Sequence, residues 1–223
     1  MTKYDVIAFD LDGTLSDPAK GLLDGFVYAF KKLGIDYGER ESLRRFIGPP
    51  LAEEWSREFG FTMEEAEHAV ELFREYYNIY GWWDNTLYPG IAELLSSLKE
   101  AGKTVVLSTS KPQDTAEDIL RLHKLYGYFD FISGHDYKSR LREKKWEVLE
   151  YALDAVGVGK SEEERARCIL VGDRKYDAEG AARCGIASAG VRWGHGSESE
   201  LSAAGFTHVV STVDELYNIL CRD

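Results

Sequence analysis

Apolar positions along the chain follow two rhythms, and the change between them organises the sequence. Tyr4-Asp5-Val6-Ile7-Ala8-Phe9 is a short, β-rich apolar run that predicts a buried strand, and it stops at the carboxylate of Asp10. From about Ser16 to Asn85 the spacing becomes helical and carries no strand pattern. Leu22, Phe26, Phe30 and Leu33 recur at helical intervals after Pro18, and Gly34 closes that helix. A piece over 41–46 leads into Ile47-Gly48-Pro49-Pro50, a turn that no helix crosses. Helices are predicted over 51–59 and 63–80, the longer with Ala66, Ala69, Val70, Phe73, Tyr76, Tyr77 and Tyr80 on one apolar stripe.

After Tyr88-Pro89-Gly90 strands and helices alternate. Helix 91–101 precedes strand 104–108, helix 112–125 precedes strand 129–132, and helix 144–156 precedes strand 168–172. Helix 177–184 then leads to strand 186–191, followed by a helix over 197–204, a strand over 208–210 and a helix over 213–220. Alternation of this kind implies a parallel sheet covered on both faces, an α/β fold. The helical stretch of residues 16–85 reads as an inserted all-α domain, with 1–15 and 86–223 forming the core.

In a parallel sheet the ligand site lies outside the carboxyl ends of the strands. The first strand ends in Asp10-Leu11-Asp12-Gly13-Thr14, the second in Ser108-Thr109-Ser110-Lys111, and the fourth in Gly172-Asp173 with Asp177 close behind. Asp10 and Asp12 lie two apart and share a face where the strand frays. Two carboxylates roughly 4 Å apart repel by about 4 kcal/mol at an effective dielectric of 20, so a cation, a shared proton or open water must relieve them. With Asp173 and Asp177, up to four carboxylates gather there. Hard oxygen ligands without His or Cys suit Mg²⁺, although each segment alone also reads as a turn or a helix cap. Thr109 and Ser110, before the Pro112 helix, offer hydroxyls and N–H groups to an anion. Lys145 opens a following amphipathic helix beside Lys144, and either could neutralise a phosphate.

Composition narrows the partners. The net charge of −12, from 39 acidic and 27 basic residues, disfavours a nucleic acid polymer or an anionic membrane as partner. An anionic substrate would have to be drawn by local cations. Three cysteines without CxxC spacing suit reduced thiols and a cytoplasmic location, and Met1-Thr2-Lys3 runs straight into the first strand, so no signal peptide is expected. No apolar run approaches the length of a membrane span. The pattern is silent on oligomeric state.

Together the DxDGT at 10–14, the Thr-Ser-Lys-Pro turn at 109–112, a Lys near 145 and GDxxxD at 172–177 resemble the haloacid dehalogenase-like phosphohydrolase superfamily over nearly the whole chain. The insert after the first motif resembles the branch with an α-helical cap. Phe46-Ile47-Gly48-Pro49-Pro50-Leu51 and Gly190 to Gly196 resemble phosphoglycolate phosphatases and 5'-nucleotidase-like relatives. The resemblance implies a Rossmann-like core and a Mg²⁺-dependent phosphatase acting on a small phosphate ester through an aspartyl-phosphate. It assigns Asp10 as nucleophile, Asp12 as acid and base, and Thr109, Ser110 and Lys145 as phosphate-binding groups. It further assigns Asp10, the Asp12 carbonyl, Asp173 and Asp177 to the metal, and makes the insert around Gly48 a substrate-reading element that closes over the site. The position after Thr109 is Ser where many relatives carry Asn.

Other readings are a phosphosugar mutase of the same superfamily, a dehalogenase, and a phosphate-binding protein without turnover. In a dehalogenase Asp12 would have no alcohol to protonate. Cys168 and Arg174 fit a C-x5-R spacing, but an intervening strand would hold them roughly 20 Å apart. A calcium loop starting at Asp10 would have Gly13 two positions early.

Overall fold

The computed structural model describes residues 3–48, 50–136, 142 and 144–222. In chain order, β1 (Val6–Phe9) and β2 (Ser16–Asp17) precede α1 (Ala19–Leu33), a 3-10 segment over Arg40–Phe46, α2 (Leu51–Phe59) and α3 (Met63–Tyr76). A wide π-type turn over Tyr77–Gly81 leads to β3 (Thr86–Leu87), α4 (Ile91–Glu100), β4 (Thr104–Pro112) and α5 (Gln113–Leu122). A 3-10 turn over Tyr126–Tyr128 precedes β5 (Phe131–His135), α6 (Lys145–Ala155), α7 (Glu162–Arg165) and β6 (Cys168–Gly172). The chain continues with α8 (Lys175–Arg183), β7 (Ala187–Val191), α9 (Glu198–Ala203), β8 (His208–Val210) and α10 (Val213–Cys221).

Six strands pair in parallel in the order β5-β4-β1-β6-β7-β8, flanked by helices, while β2 and β3 form a separate two-stranded ribbon. This is the α/β fold that the alternation predicts. β1 lies centrally, with Phe9 beside Leu107 of β4 and Val171 of β6, so three strand ends that bear polar residues are neighbours. On one face Ala8, Val106 and Leu170 pack against Leu149, Ala152 and Leu153 of α6 and Ala181 of α8. Burial on both faces explains why β6 is apolar throughout.

The chain divides into two compact units, one comprising residues up to Ser16 with Leu87 onward, the other Asp17–Thr86. In the second, Trp55 is fully buried among Phe26, Phe30, Phe46 and Phe73, with ring centroids 4.8–6.4 Å away. The aromatic spacing of α1 thus becomes one aromatic core.

Several boundaries differ from the sequence pattern, the helix expected over 112–125 spanning Gln113–Leu122 for one, and three of them have a visible cause. The helix expected to reach Tyr80 ends at Tyr76, because the following turn widens and brings the Gly81 carbonyl against Gly21, where a Cβ would overlap it. Tyr80 consequently leaves the apolar stripe and is 54% exposed. The strand expected over 129–132 begins at Phe131: the Asp130 N–H donates to the Val105 carbonyl (2.8 Å), but the Val105 N–H is taken by the Asp130 carboxylate (2.8 Å), which also holds Lys99. β4 runs to Pro112, beyond the expected 108, with an irregularity between Ser108 and Pro112 before Pro112 pairs with His135.

Candidate active site

The site grows from the end of β1. The Asp10 N–H donates to the Val171 carbonyl at 2.9 Å, which carries the ladder one residue past the strand and sets Asp10 beside the end of β6. The chain then turns tightly, with the N–H groups of Thr14 and Leu15 donating to the Leu11 carbonyl and that of Gly13 to Ser16. Gly13 has φ of +82°, and a Cβ there would overlap the Asp173 carboxylate, so both backbone and space demand glycine.

Asp10, Asp173 and Asp177 each offer an oxygen within 4.8 Å of the others. Lys145, first residue of α6 and buried, lies between two of them: its Nζ is 2.7 Å from Asp10 Oδ1 and 2.7 Å from Asp177 Oδ1. Lys144 stands outside the helix as its cap, its N–H donating to Glu147, so Lys145 is the lysine that reaches the carboxylates. Asp177 is committed further, because Oδ2 accepts the Arg174 N–H at 3.0 Å and caps α8. Asp173 is fully buried; its Oδ2 accepts the His195 N–H at 2.7 Å, and its Oδ1 has no hydrogen-bond partner among the described residues.

Asp12 faces a different cation. Its Oδ2 is 2.7 Å from Lys111 Nζ, whose side chain is almost fully covered, and its Oδ1 is buried without a hydrogen-bond partner among the described residues. Thr109 is buried, with Oγ1 accepting the Lys111 N–H, while Ser110 beside it is exposed. Gly48 belongs to the other unit, before α2, with φ of +103°. Its neighbour Pro49 lies outside the described residues.

The electrostatics are unbalanced. Burial pushes the Asp173 carboxyl well above its ordinary range, and the negative charges of Asp177 and Asp10 push it further. Burial also raises Asp177 and Asp12 against the pull of Lys145 and Lys111 respectively. Lys145 is driven the other way: burial disfavours its charge, but Asp10 and Asp177 outweigh that and hold it firmly protonated. Three carboxylates gather around one ammonium, which touches Asp10 and Asp177 but not Asp173, so that with all three ionised two negative charges are formally unbalanced. The cluster's hard oxygen donors and the orphaned, buried Asp173 Oδ1 fit a divalent cation, which could be held there.

Two features escaped the sequence pattern. Lys111 contacts Asp12, although the sequence pattern marks only its neighbours Thr109 and Ser110 as anion-binding candidates; its place at a polar strand end is the available signal. The loop after β7 lies in the Gly190–Gly196 stretch that carries the family resemblance, but its role does not follow from residue identity, because it reaches the site through the His195 main-chain N–H. Cys168, by contrast, opens β6 at the far end of the strand, its thiol donating to the Glu164 carbonyl, away from Arg174.

A family model described as haloacid dehalogenase-like hydrolase matches residues 7–191. The chain belongs to that family. This hydrolase is 37% identical over 98% of its length to a 5'-nucleotidase of Pseudomonas aeruginosa, covering 96% of that protein. It is 35% identical over 96% of its length to the tyrosine-protein kinase PtkA of Mycobacterium tuberculosis, covering 72% of that chain. A solved structure, described as a predicted phosphatase from Clostridium acetobutylicum, superposes with a TM-score of 0.89 at 37% identity, covering 97% of this hydrolase and 98% of that chain.

Proposed function

We propose that this hydrolase is a Mg²⁺-dependent phosphomonoesterase acting on a small metabolite, a nucleoside monophosphate or phosphoglycolate, through an aspartyl-phosphate. One observation carries the reading: Asp10 and Asp12 sit at one strand end but pair with different buried lysines, Lys145 and Lys111. Two neighbouring carboxylates with separate cations can do separate jobs. Similarity to a 5'-nucleotidase supports the nucleoside monophosphate class.

In the proposed reaction an Asp10 oxygen attacks phosphorus as the ester oxygen leaves. Asp12, whose carboxyl burial raises, gives that oxygen its proton. Water then attacks the phosphorus of the aspartyl-phosphate, Asp12 recovers a proton from it, and inorganic phosphate departs with Asp10 restored. Lys145, Thr109 and the Ser110 N–H orient the transferring oxygens, because phosphoryl transfer needs mainly alignment and neutralised charge. Asp10, the Asp12 carbonyl and Asp173 would hold Mg²⁺, with Asp177 in support, and the ion supplies charge neutralisation at the phosphoryl oxygens. Gly48 of the inserted unit is the proposed reader of the leaving group.

Purified protein assayed with p-nitrophenyl phosphate should release phosphate only when Mg²⁺ is present, and Asp10→Asn should be inactive. Equal turnover by Asp10→Asn rules out the covalent route. A panel of nucleoside monophosphates, phosphoglycolate and glucose 1-phosphate then separates substrates: glucose 6-phosphate as product identifies a mutase, and binding without turnover a non-catalytic protein. An added arm with labelled ATP and tyrosine-containing peptides tests the transfer that the PtkA relative's name describes.

A further inference from the structure

One segment to which the four carboxylate- and phosphate-binding motifs do not extend touches both acidic loops. Trp193, after β7, donates its Nε1–H to the Thr14 carbonyl at 3.1 Å and so grips the turn that carries Asp10 and Asp12. Two residues on, the His195 N–H holds Asp173 Oδ2 at 2.7 Å. Gly194 lies so close that a Cβ would overlap both the Asp173 side chain and the Gly13 carbonyl, and a Cβ on Gly196 would overlap the Asp173 carbonyl. From α9, Glu200 Oε1 accepts the Lys175 N–H and the Arg174 Nε–H, each at 2.9 Å, fixing the start of α8 and with it Asp177.

His195, Gly194 and Gly196 bear on Asp173 directly, while Trp193 and Glu200 hold the two segments on either side of it, the Asp10–Thr14 turn and the start of α8. With Oδ2 occupied by a main-chain donor, the carboxylate cannot turn, and Oδ1 remains the unpartnered oxygen beside Asp10 and Asp177. A carboxylate that must bind an ion without reorganising needs such a fixed partner on its other oxygen. We propose that residues 193–200 form a positioning clamp that presets Asp173 Oδ1 for the divalent cation. The proposal rests on the metal reading above and adds residues to it; none of them touches substrate.

Mn²⁺ binding to the metal-free protein tests it by titration calorimetry and electron paramagnetic resonance, beside melting in EDTA. The wild type should bind, and Asp173→Asn should not. Gly194→Ala should weaken binding by about 10–100-fold, the range typical of partners that orient a metal ligand. Trp193→Phe and Glu200→Gln keep the fold more safely and should weaken binding several-fold in the same direction. A merely structural segment would lower the melting temperature in EDTA and leave the affinity of the folded protein unchanged. Wild-type affinity in the folded variants, with Asp173→Asn still defective, overturns the clamp alone. No binding by the wild type overturns the metal reading and the clamp with it.

Discussion

Replacing Lys145 by methionine keeps most of the side chain's volume and removes the charge shared by Asp10 and Asp177. At 2.7 Å from each, the ammonium has a gross attraction of about 6 kcal/mol per carboxylate at an effective dielectric of 20. Most of that offsets the desolvation of three buried charges, so the net loss is smaller; removing one partner of a buried pair costs about 3–5 kcal/mol. The carboxylates can take up a proton once the lysine is gone, which caps the loss near the lower end. For a chain of this size the melting temperature in EDTA should fall by roughly 6–12 °C. The deficit should shrink as the pH is lowered, since protonated carboxyls no longer repel. It should also shrink on adding Mg²⁺, which replaces the missing charge. Differential scanning fluorimetry with and without EDTA reads all three effects. A variant melting within about 2 °C of wild type in EDTA refutes the claim that Lys145 balances this cluster.

Glu150 provides a pH test away from the site. Burial works to raise its carboxyl, but Arg165, bonded to both oxygens at 2.9 Å, outweighs that and holds it below its ordinary 4.5. Its stabilising contribution is therefore complete above about 4.5 and lost as the pH falls through the lower folded value. Melting curves of Glu150→Gln and wild type should differ at neutral pH and converge in acid; a constant gap contradicts the assignment. Trp55→Ala empties the centre of the aromatic cluster of the inserted unit and should cost that unit about 3–5 kcal/mol, read by urea unfolding followed through fluorescence. A change under about 1 kcal/mol would mean that the cluster is not its core.

Much of the site was legible because it sits where apolar runs stop. β1 ends one residue before Asp10, and β6 ends at Gly172, directly before Asp173, so a parallel sheet with the two strands adjacent brings the carboxylates together. The choice between Lys144 and Lys145 was not legible. Neighbouring helical positions point about 100° apart, and only the packing of α6 decides which one faces the sheet edge. Lys111 escaped for a related reason, since its reach to Asp12 follows the irregularity in β4 between Ser108 and Pro112, which no alternation of apolar residues encodes. The widened turn after α3 depends on the close approach of Gly21 and Gly81, two glycines sixty positions apart in sequence.

The central claim is that a divalent ion lies among carboxylates from distant segments of the chain. Anomalous diffraction from a crystal soaked in Mn²⁺ tests this most directly. The predicted map has one strong peak bridging an Asp10 oxygen and Asp173 Oδ1, with Lys145 still on Asp177. A map with no peak there, or with Mn²⁺ held elsewhere while Asp173 Oδ1 stays unligated, would contradict it.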